Sequence, residues 1–209
     1  MQKILVLGAT GHLGKVLVKL LLDRNYSVVV LVRNSKKLTI VHDNLKIIQG
    51  DVTDTHDLSK AVSGVTVVIS VLGHGFRTHF PIQEKTMAVL LPLLEKNNIK
   101  RFITVTGAGL RVKGDPYSFT AAFSEKLFYL VDPYRMSDAK NQQRLIEKSD
   151  LDWTVVRTPV HNNKQSETIS SVGFTQAPLW RTLSRVAVSI FILKCIEKNQ
   201  FIRKAPIIY

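Results

Sequence analysis

The residues Gly8-Ala9-Thr10-Gly11-His12-Leu13-Gly14 fall between an apolar run, Ile4 to Leu7, and a helical pattern from Gly14 to Arg24. A strand that turns through glycines straight into a helix constrains the fold more than any other stretch of this chain. The first N–H groups of such a helix have no intrahelical partner, and with the helix dipole they favour an anion. A diphosphate reaches that backbone only where side chains do not obstruct it. Gly8 is expected to make the tight turn, Gly11 to permit the close approach, and Gly14 to let helix and strand pack closely. The spacing is G-x-x-G-x-x-G rather than G-x-G-x-x-G, and its weight comes from its place at the opening of a βαβ unit. Thr10, His12 and Leu13 share this loop. His12 has no spaced partner ligand for a metal and is expected to face solvent.

The rest of the chain alternates apolar, β-branched runs with helical patterns. Strands are expected at Tyr26–Val32, Leu45–Gln49, Val65–Leu72, Arg101–Thr106 and Trp153–Arg157, with a short closing strand at the C-terminal Ile207-Ile208-Tyr209. Helices are expected at Thr55–Ser63, Ile82–Asn97, Tyr134–Lys148 and Leu183–Ile196. Val65 to Leu72 is nearly all apolar, as a strand covered on both faces would be. The alternation implies a Rossmann-like α/β fold: a doubly wound parallel sheet with helices on both faces. At roughly 150 residues per domain, 209 residues make one domain, with residues 159–209 contributing the small substrate side. Two long irregular stretches, Gly107–Ser118 and Pro159–Trp180, follow strands and belong at the carboxyl edge, where such sheets bind ligands.

Positions along that edge suggest what the ligand is. Arg33 stands after the second strand, where a site selective for NAD usually carries an acidic residue. A guanidinium there pairs with a 2′-phosphate, so NADP(H) is preferred over NAD(H). Lys37, with Lys36, either adds charge there or starts a solvated helix. Asp51 and Val52 follow the third strand and are expected at the adenine, or Asp51 is a turn or capping residue. Leu72 and Gly73 end the fourth strand, where a small residue lets the ribose side of a cofactor approach. Gly73-His74-Gly75-Phe76-Arg77 then reads as a basic loop that contacts an anionic substrate or stays solvated.

These residues resemble the atypical short-chain dehydrogenase/reductase group, and within it the NAD(P)H-binding, NmrA-like branch that includes flavin reductase/biliverdin-IXβ reductase. The resemblance runs through Gly8–Gly14, Val32-Arg33-Asn34, Gly50-Asp51-Val52 and Ser149 to Pro159. It implies that Thr158, Pro159 and Val160 flank a nicotinamide. Leu183-Ser184-Arg185-Val186-Ala187 is similar to the family's Ile-Ser-Arg-x-Asp-Val-Ala segment without its acidic residue. Two departures stand out. Alcohol-oxidising members use Tyr-x-x-x-Lys, but Tyr134 is followed four positions later by Asp138, and Lys140 is out of register. The β-type biliverdin reductases carry a serine after the fifth strand, where this chain has Gly107 beside Thr106.

Hydride transfer to a conjugated acceptor asks the protein mainly for orientation and exclusion of water. The expected activity is therefore an NADPH-dependent reduction of a flavin, quinone or similar acceptor. The alternative is a non-enzymatic NADP(H)-sensing regulatory or interaction protein of the NmrA-like type. Thr106 and His161 are the catalytic candidates. Phe119, Phe123, Phe128 and Tyr129, in the segment from Tyr117 to Tyr134, form with Phe76 and Phe80 either an apolar wall for a planar substrate or core and helix-packing contacts.

Charge and cysteine content bound the partners. There are 29 basic and 16 acidic residues, a net +13. The excess suggests an anionic partner, but the basic residues are scattered and no longer block or nucleic-acid motif accompanies them. Nucleic acid is thus an unfavoured partner, and a small planar or anionic substrate the favoured one; the oligomeric state is left open. No apolar run approaches the roughly 18 residues of a membrane span, and the N-terminal run is too short for a signal peptide. The lone Cys195 allows neither a disulfide framework nor a cysteine zinc cage, and no His–carboxylate metal cluster or Ser–His–Asp spacing is evident. A cytoplasmic, membrane-free protein with a buried, inert Cys195 is expected.

Overall fold

Alternate residues of the first strand serve two different cores. In β1 (Lys3–Leu7), Ile4 and Val6 join one apolar cluster, while Leu5 and Leu7 join another on the opposite face. β2 (Ser27–Val32) divides in the same way, with Val28, Val30 and Val32 on one side and Val29 and Leu31 on the other. Period-two side chains with both faces apolar can be satisfied only by a sheet covered on both sides. The computed structural model describes residues 2–74, 79–116, 118–175, 177–178 and 180–209, except the side chain of Thr120.

The sheet completes itself with β3 (Leu45–Gln49), β4 (Val67–Ser70), β5 (Arg101–Gly107), β6 (Asp152–Thr158), β8 (Val172–Gly173) and β10 (Ile207–Ile208), in the order β3-β2-β1-β4-β5-β6-β10-β8. All pairings are parallel except β10 with β8. β7 (Val160–Asn162) and β9 (Thr182–Ser184) form a separate parallel pair. One face is covered by α1 (His12–Asp23) and α6 (Arg185–Glu197), through Leu17, Val18 and Leu21 and through Val188 and Ile192. The other face carries α2 (Thr55–Val62), α3 (Ile82–Lys96) and α5 (Pro133–Glu147), through Leu58, Met87, Leu90 and Ile146. The order β3-β2-β1-β4-β5-β6 reverses between β1 and β4, and that crevice is where doubly wound sheets bind ligands.

The expected fold class is what forms, with informative differences. Tyr26, Val65, Thr66, Val71, Leu72 and Tyr209 lie outside the strands expected to hold them. α6 begins at Arg185, because Leu183 and Ser184 pair in β9 and the Ser184 hydroxyl caps the helix at Ala187 N–H, 2.9 Å away. The C-terminal strand does not close the sheet: β10 sits between β6 and β8. The segment read as aromatic wall or core contains a further helix, α4 (Phe119–Val131). No helix among the described residues is long and apolar enough to cross a membrane.

Candidate active site

The glycine loop joins β1 to α1 as its sequence requires. Gly8 has φ +86°, and a Cβ there would lie 2.7 Å from the Val71 carbonyl oxygen. A Cβ on Gly14 would lie 2.2 Å from the Gly8 oxygen, so only glycine lets α1 start this close to β1. Gly11 is exposed at the N-cap of α1 with no side-chain cap. The other long helices do have one: Asp54 caps α2, Ser118 α4, Asp132 α5 and Ser184 α6, while Asp138 of α5 reaches across to the first N–H groups of α3. The opening of α1 thus carries no side-chain cap and no acidic residue in its first turn, although the Gly11 N–H itself donates to the Gly8 carbonyl oxygen at 3.0 Å. His12 is exposed, as expected, and Thr10 and Leu13 are half-buried beside it.

Arg33 is exposed at the end of β2, and Asp51 follows β3 beside it. The Asp51 carboxylate closes a turn: Oδ1 accepts from Thr53 N–H at 2.8 Å and from the Thr53 hydroxyl at 2.7 Å. Those bonds, and to a lesser degree the Arg33 charge, hold its carboxyl below the usual carboxylate range. The turn alternative is therefore realised for Asp51. The Val52 side chain is buried and packs in the core with Leu58 and Val29. Lys36 and Lys37 form an exposed 3₁₀ turn, Ser35–Lys37, in place of a helix start.

Next to this strip opens a cleft of about 510 Å³. Leu13, Val71, Leu72 and Gly73 form one side, at the crevice between β1 and β4. The end of β5 and its following loop, Val105 to Leu110, form the floor; Thr158, Pro159, Val160 and His161 close the far side. A Cβ on Gly73 or Gly107 would meet nothing within 4 Å, so both positions leave open space. Met136, Ala139 and Phe128 add an apolar roof. Small-molecule sites share this make-up: apolar walls with a few polar groups.

The structure brings Leu72, Gly73, Thr106, Thr158, Pro159, Val160 and His161 together around one cavity. Gly8, Thr10, Gly11, His12, Gly14, Arg33, Lys37, Asp51 and Val52 are not part of its lining; they lie at the adjoining ends of β1, β2 and β3. Thr158 Oγ1 and His161 Nε2 share a hydrogen bond of 2.7 Å. Burial and, secondarily, the charge of Arg185 push His161 down to about 4, so its ring is neutral at neutral pH and holds no spare proton. Cys195 is fully buried, and burial pushes its thiol up to about 12.

The aromatic expectations divide. Phe128 lines the cleft, and the room for its ring comes from Gly109, where a Cβ would lie 2.3 Å from Phe128 Cδ2. Phe119 and Phe123 are exposed, contributing to neither cleft nor core, and Phe80 is exposed beneath the Lys85 ammonium. Phe76, Arg77 and Tyr117 lie outside the described residues. Tyr134 is exposed near the start of α5 and tilts against His79.

Sequence reasoning missed two arrangements. The first is His74. Its loop was expected to contact an anionic substrate or stay solvated, yet the His74 side chain is buried, with Nε2 2.9 Å from Asp138 Oδ2. The second is Arg157, inside β6, whose guanidinium meets Asp115 through Nη1–Oδ2 at 2.5 Å and Nη2–Oδ1 at 2.6 Å. This pair ties the loop after β5 to the sheet and so sets the cleft floor. A charged residue directly after Val155 and Val156 inside a strand was the available signal for Arg157; nothing local pointed to His74, and the sequence showed only Asp138 in place of a lysine.

Comparison with known proteins gives the family and the fold. A family model described as NAD(P)H-binding matches residues 8–199. Phenylcoumaran benzylic ether reductase 1 of Arabidopsis thaliana is 28% identical over 190 residues, covering 85% of this chain and 54% of that protein. The chain spans about half the length, or less, of the curated relatives it matches. Among solved structures, a short-chain dehydrogenase/reductase of Veillonella parvula in complex with NADP superposes with TM-score 0.82 at 21% identity, over 99% of this chain and 94% of the other. ChuY, an anaerobilin reductase of Escherichia coli O157:H7, superposes with TM-score 0.78 at 16% identity, over 99% and 96% of the two chains. These two likenesses establish the fold.

Proposed function

Because this chain belongs to the NAD(P)H-binding family, we propose that it is an NADPH-dependent reductase acting on a flavin, quinone or similar conjugated acceptor. The observation that carries the reading is the cleft at the β1/β4 crevice, apolar on most sides and adjoining an α1 N-terminus left without a side-chain cap. The residues present fit a phosphorylated dinucleotide. Gly8 to Gly14 leave backbone N–H groups for the diphosphate. Arg33 is exposed and free of any carboxylate salt bridge among the described residues, which suits a 2′-phosphate. Asp51, through the oxygen not used in its turn, accepts from the adenine amino group. The open faces of Gly73 and Gly107, with Thr106 and Thr158 to Val160, flank the nicotinamide.

The chemistry that the cofactor supplies when bound is hydride donation. The chain's own part is to orient the acceptor and to keep water out. Val71, Leu110, Phe128, Met136 and Ala139 provide flat, apolar surface for a planar ring. The reductases among the relatives and solved structures support the same class of reaction. One observation favours the alternative, a sensor of NADP(H): Tyr134 is exposed and the place of the lysine four positions later is taken by Asp138. Oxidation of NADPH with FMN, menadione or biliverdin as acceptor tests the reading. Turnover is expected; tight binding of NADPH with no turnover on any of the three would replace the reductase with the sensor.

A further inference from the structure

His74 follows the end of β4, and Asp138 lies on α5, one turn beyond Tyr134. Their side chains meet in a place closed to solvent, 3% and 1% exposed. Asp138 is fixed from the far side as well. Its Oδ2 accepts from Gln83 N–H at 3.0 Å and its Oδ1 from Glu84 N–H at 2.8 Å, both at the start of α3. With both carboxylate oxygens already accepting, the ring nitrogen that faces them, Nε2, carries the hydrogen. The remaining nitrogen, Nδ1, is buried and has no hydrogen-bond partner among the described residues. Gln83 is in the same condition: its amide nitrogen donates to the Leu72 carbonyl at 2.9 Å, and its Oε1 is buried and unpaired. His74 and Gln83 both line the cleft. Buried polar atoms are almost always paired, so two unpaired ones in one cavity wall mark where a polar group of a ligand belongs.

We propose that His74, positioned by Asp138, is the proton donor of this site, in place of the Tyr-x-x-x-Lys pair that the chain lacks. The inference rests on the reductase reading. When a conjugated acceptor takes up a hydride, its two electrons leave an oxygen or nitrogen of the acceptor anionic. The Nδ1–H bond of the His74 imidazolium breaks, that proton bonds to the anionic atom, and its bonding electrons stay on Nδ1. The ring that remains is the neutral Nε2–H imidazole, still donating to Asp138, and it regains a proton from water. Asp138 holds the ring and its tautomer and does not itself donate. Gln83 Oε1 accepts from an N–H or O–H of the same acceptor.

The other candidates are less suited. His161 is neutral at neutral pH and engaged with Thr158. Tyr134 is exposed, outside the cleft lining, and packed on His79. Lys140 is turned toward Glu125 and the Tyr129 ring.

The experiment compares the wild-type chain with His74→Gln, whose amide N–H can still reach Asp138 but which has nothing at the Nδ1 position. With NADPH and menadione, kcat is expected to fall about a hundredfold, the lower end for loss of a general acid. The NADPH Kd by fluorescence titration is expected to stay within about twofold, since the residue serves the acceptor and not the cofactor. A kcat within about threefold of wild type overturns the proposal, and so does a loss confined to NADPH affinity. Should His74→Gln not fold, nitrogen-15 NMR of the histidines in the wild-type chain decides. The expected spectrum has hydrogen on His74 Nε2 and an Nδ1 resonance that moves when menadione joins the NADP⁺ complex; hydrogen on Nδ1 with Nε2 bare, or an unmoved Nδ1, overturns it. A wild-type chain that does not bind NADPH, or reduces no acceptor, overturns the reductase reading together with this one. A wild-type chain that turns over as fast as His74→Gln overturns this one alone.

Discussion

Replacing Asp115 by alanine isolates the pair beneath the cleft floor. Arg157 is 1% exposed, and Asp115 neutralises it through two short, charge-assisted bonds. Removing one partner of a buried ion pair leaves an uncompensated charge and costs about 3–5 kcal/mol. The lower end applies here, because Arg157 keeps its bonds to the carbonyls of Ala205, through Nε at 2.9 Å and Nη2 at 2.6 Å, and of Leu110, through Nη1 at 3.0 Å. Val112 N–H, which donates to Asp115 Oδ2 at 2.9 Å, loses its acceptor at the same time. A loss of about 3 kcal/mol lowers Tm by roughly 6–12 °C in a domain of this size. Urea unfolding is the assay, with the change read in the midpoint at constant slope. The double variant Asp115→Ala with Arg157→Met should regain most of the loss, since no buried charge remains. By contrast, breaking the exposed Arg24–Glu197 pair, 3.7 Å apart, should cost under about 1 kcal/mol. An Asp115→Ala loss no larger than that of the exposed pair would refute the argument.

Two further outcomes follow from the site. Gly14→Ala drives a Cβ to 2.2 Å from the Gly8 carbonyl oxygen, so it should cost about 1–3 kcal/mol of stability by overpacking and weaken NADPH binding at least tenfold; thermal unfolding and a fluorescence titration check both. His161 is pushed from 6.5 down to about 4 in the folded chain. Between those values the unfolded chain binds a proton that the folded chain does not, so stability is full above about pH 6.5 and falls as the pH drops toward 4. His161→Gln should flatten that part of the stability–pH curve, as urea midpoints across the window would reveal.

Much of the fold was legible because the sheet imposes its period on the sequence. Ile4 to Leu7 and Val28 to Val32 alternate between two cores, and the glycine loop sits between strand and helix where the chemistry of a diphosphate needs it. α4 was not legible, since Phe119, Phe123 and Leu127 recur at helical spacing on a face that stays exposed rather than buried. β7 to β9 are two or three residues long and carry no pattern of their own. Asp51 was readable only as a choice between two roles; the structure shows the turn, made through Oδ1 to the Thr53 N–H and hydroxyl, and the adenine role is proposed for its other oxygen. The His74–Asp138 contact joins residues far apart in the chain, which no local spacing encodes; the sequence showed only that the lysine of a familiar pair was missing.

The strip from Gly8 to Arg33 beside the cleft is expected to hold a phosphorylated dinucleotide. Calorimetric titration of the wild-type chain and of Arg33→Asp with NADPH and NADH tests it most directly. The expected result is NADPH binding at least about tenfold tighter than NADH in the wild type, about 1.4 kcal/mol, with Arg33→Asp reversing the order by losing NADPH affinity and gaining NADH affinity. Binding of neither nucleotide, or an NADH preference that Arg33→Asp does not strengthen, would contradict it.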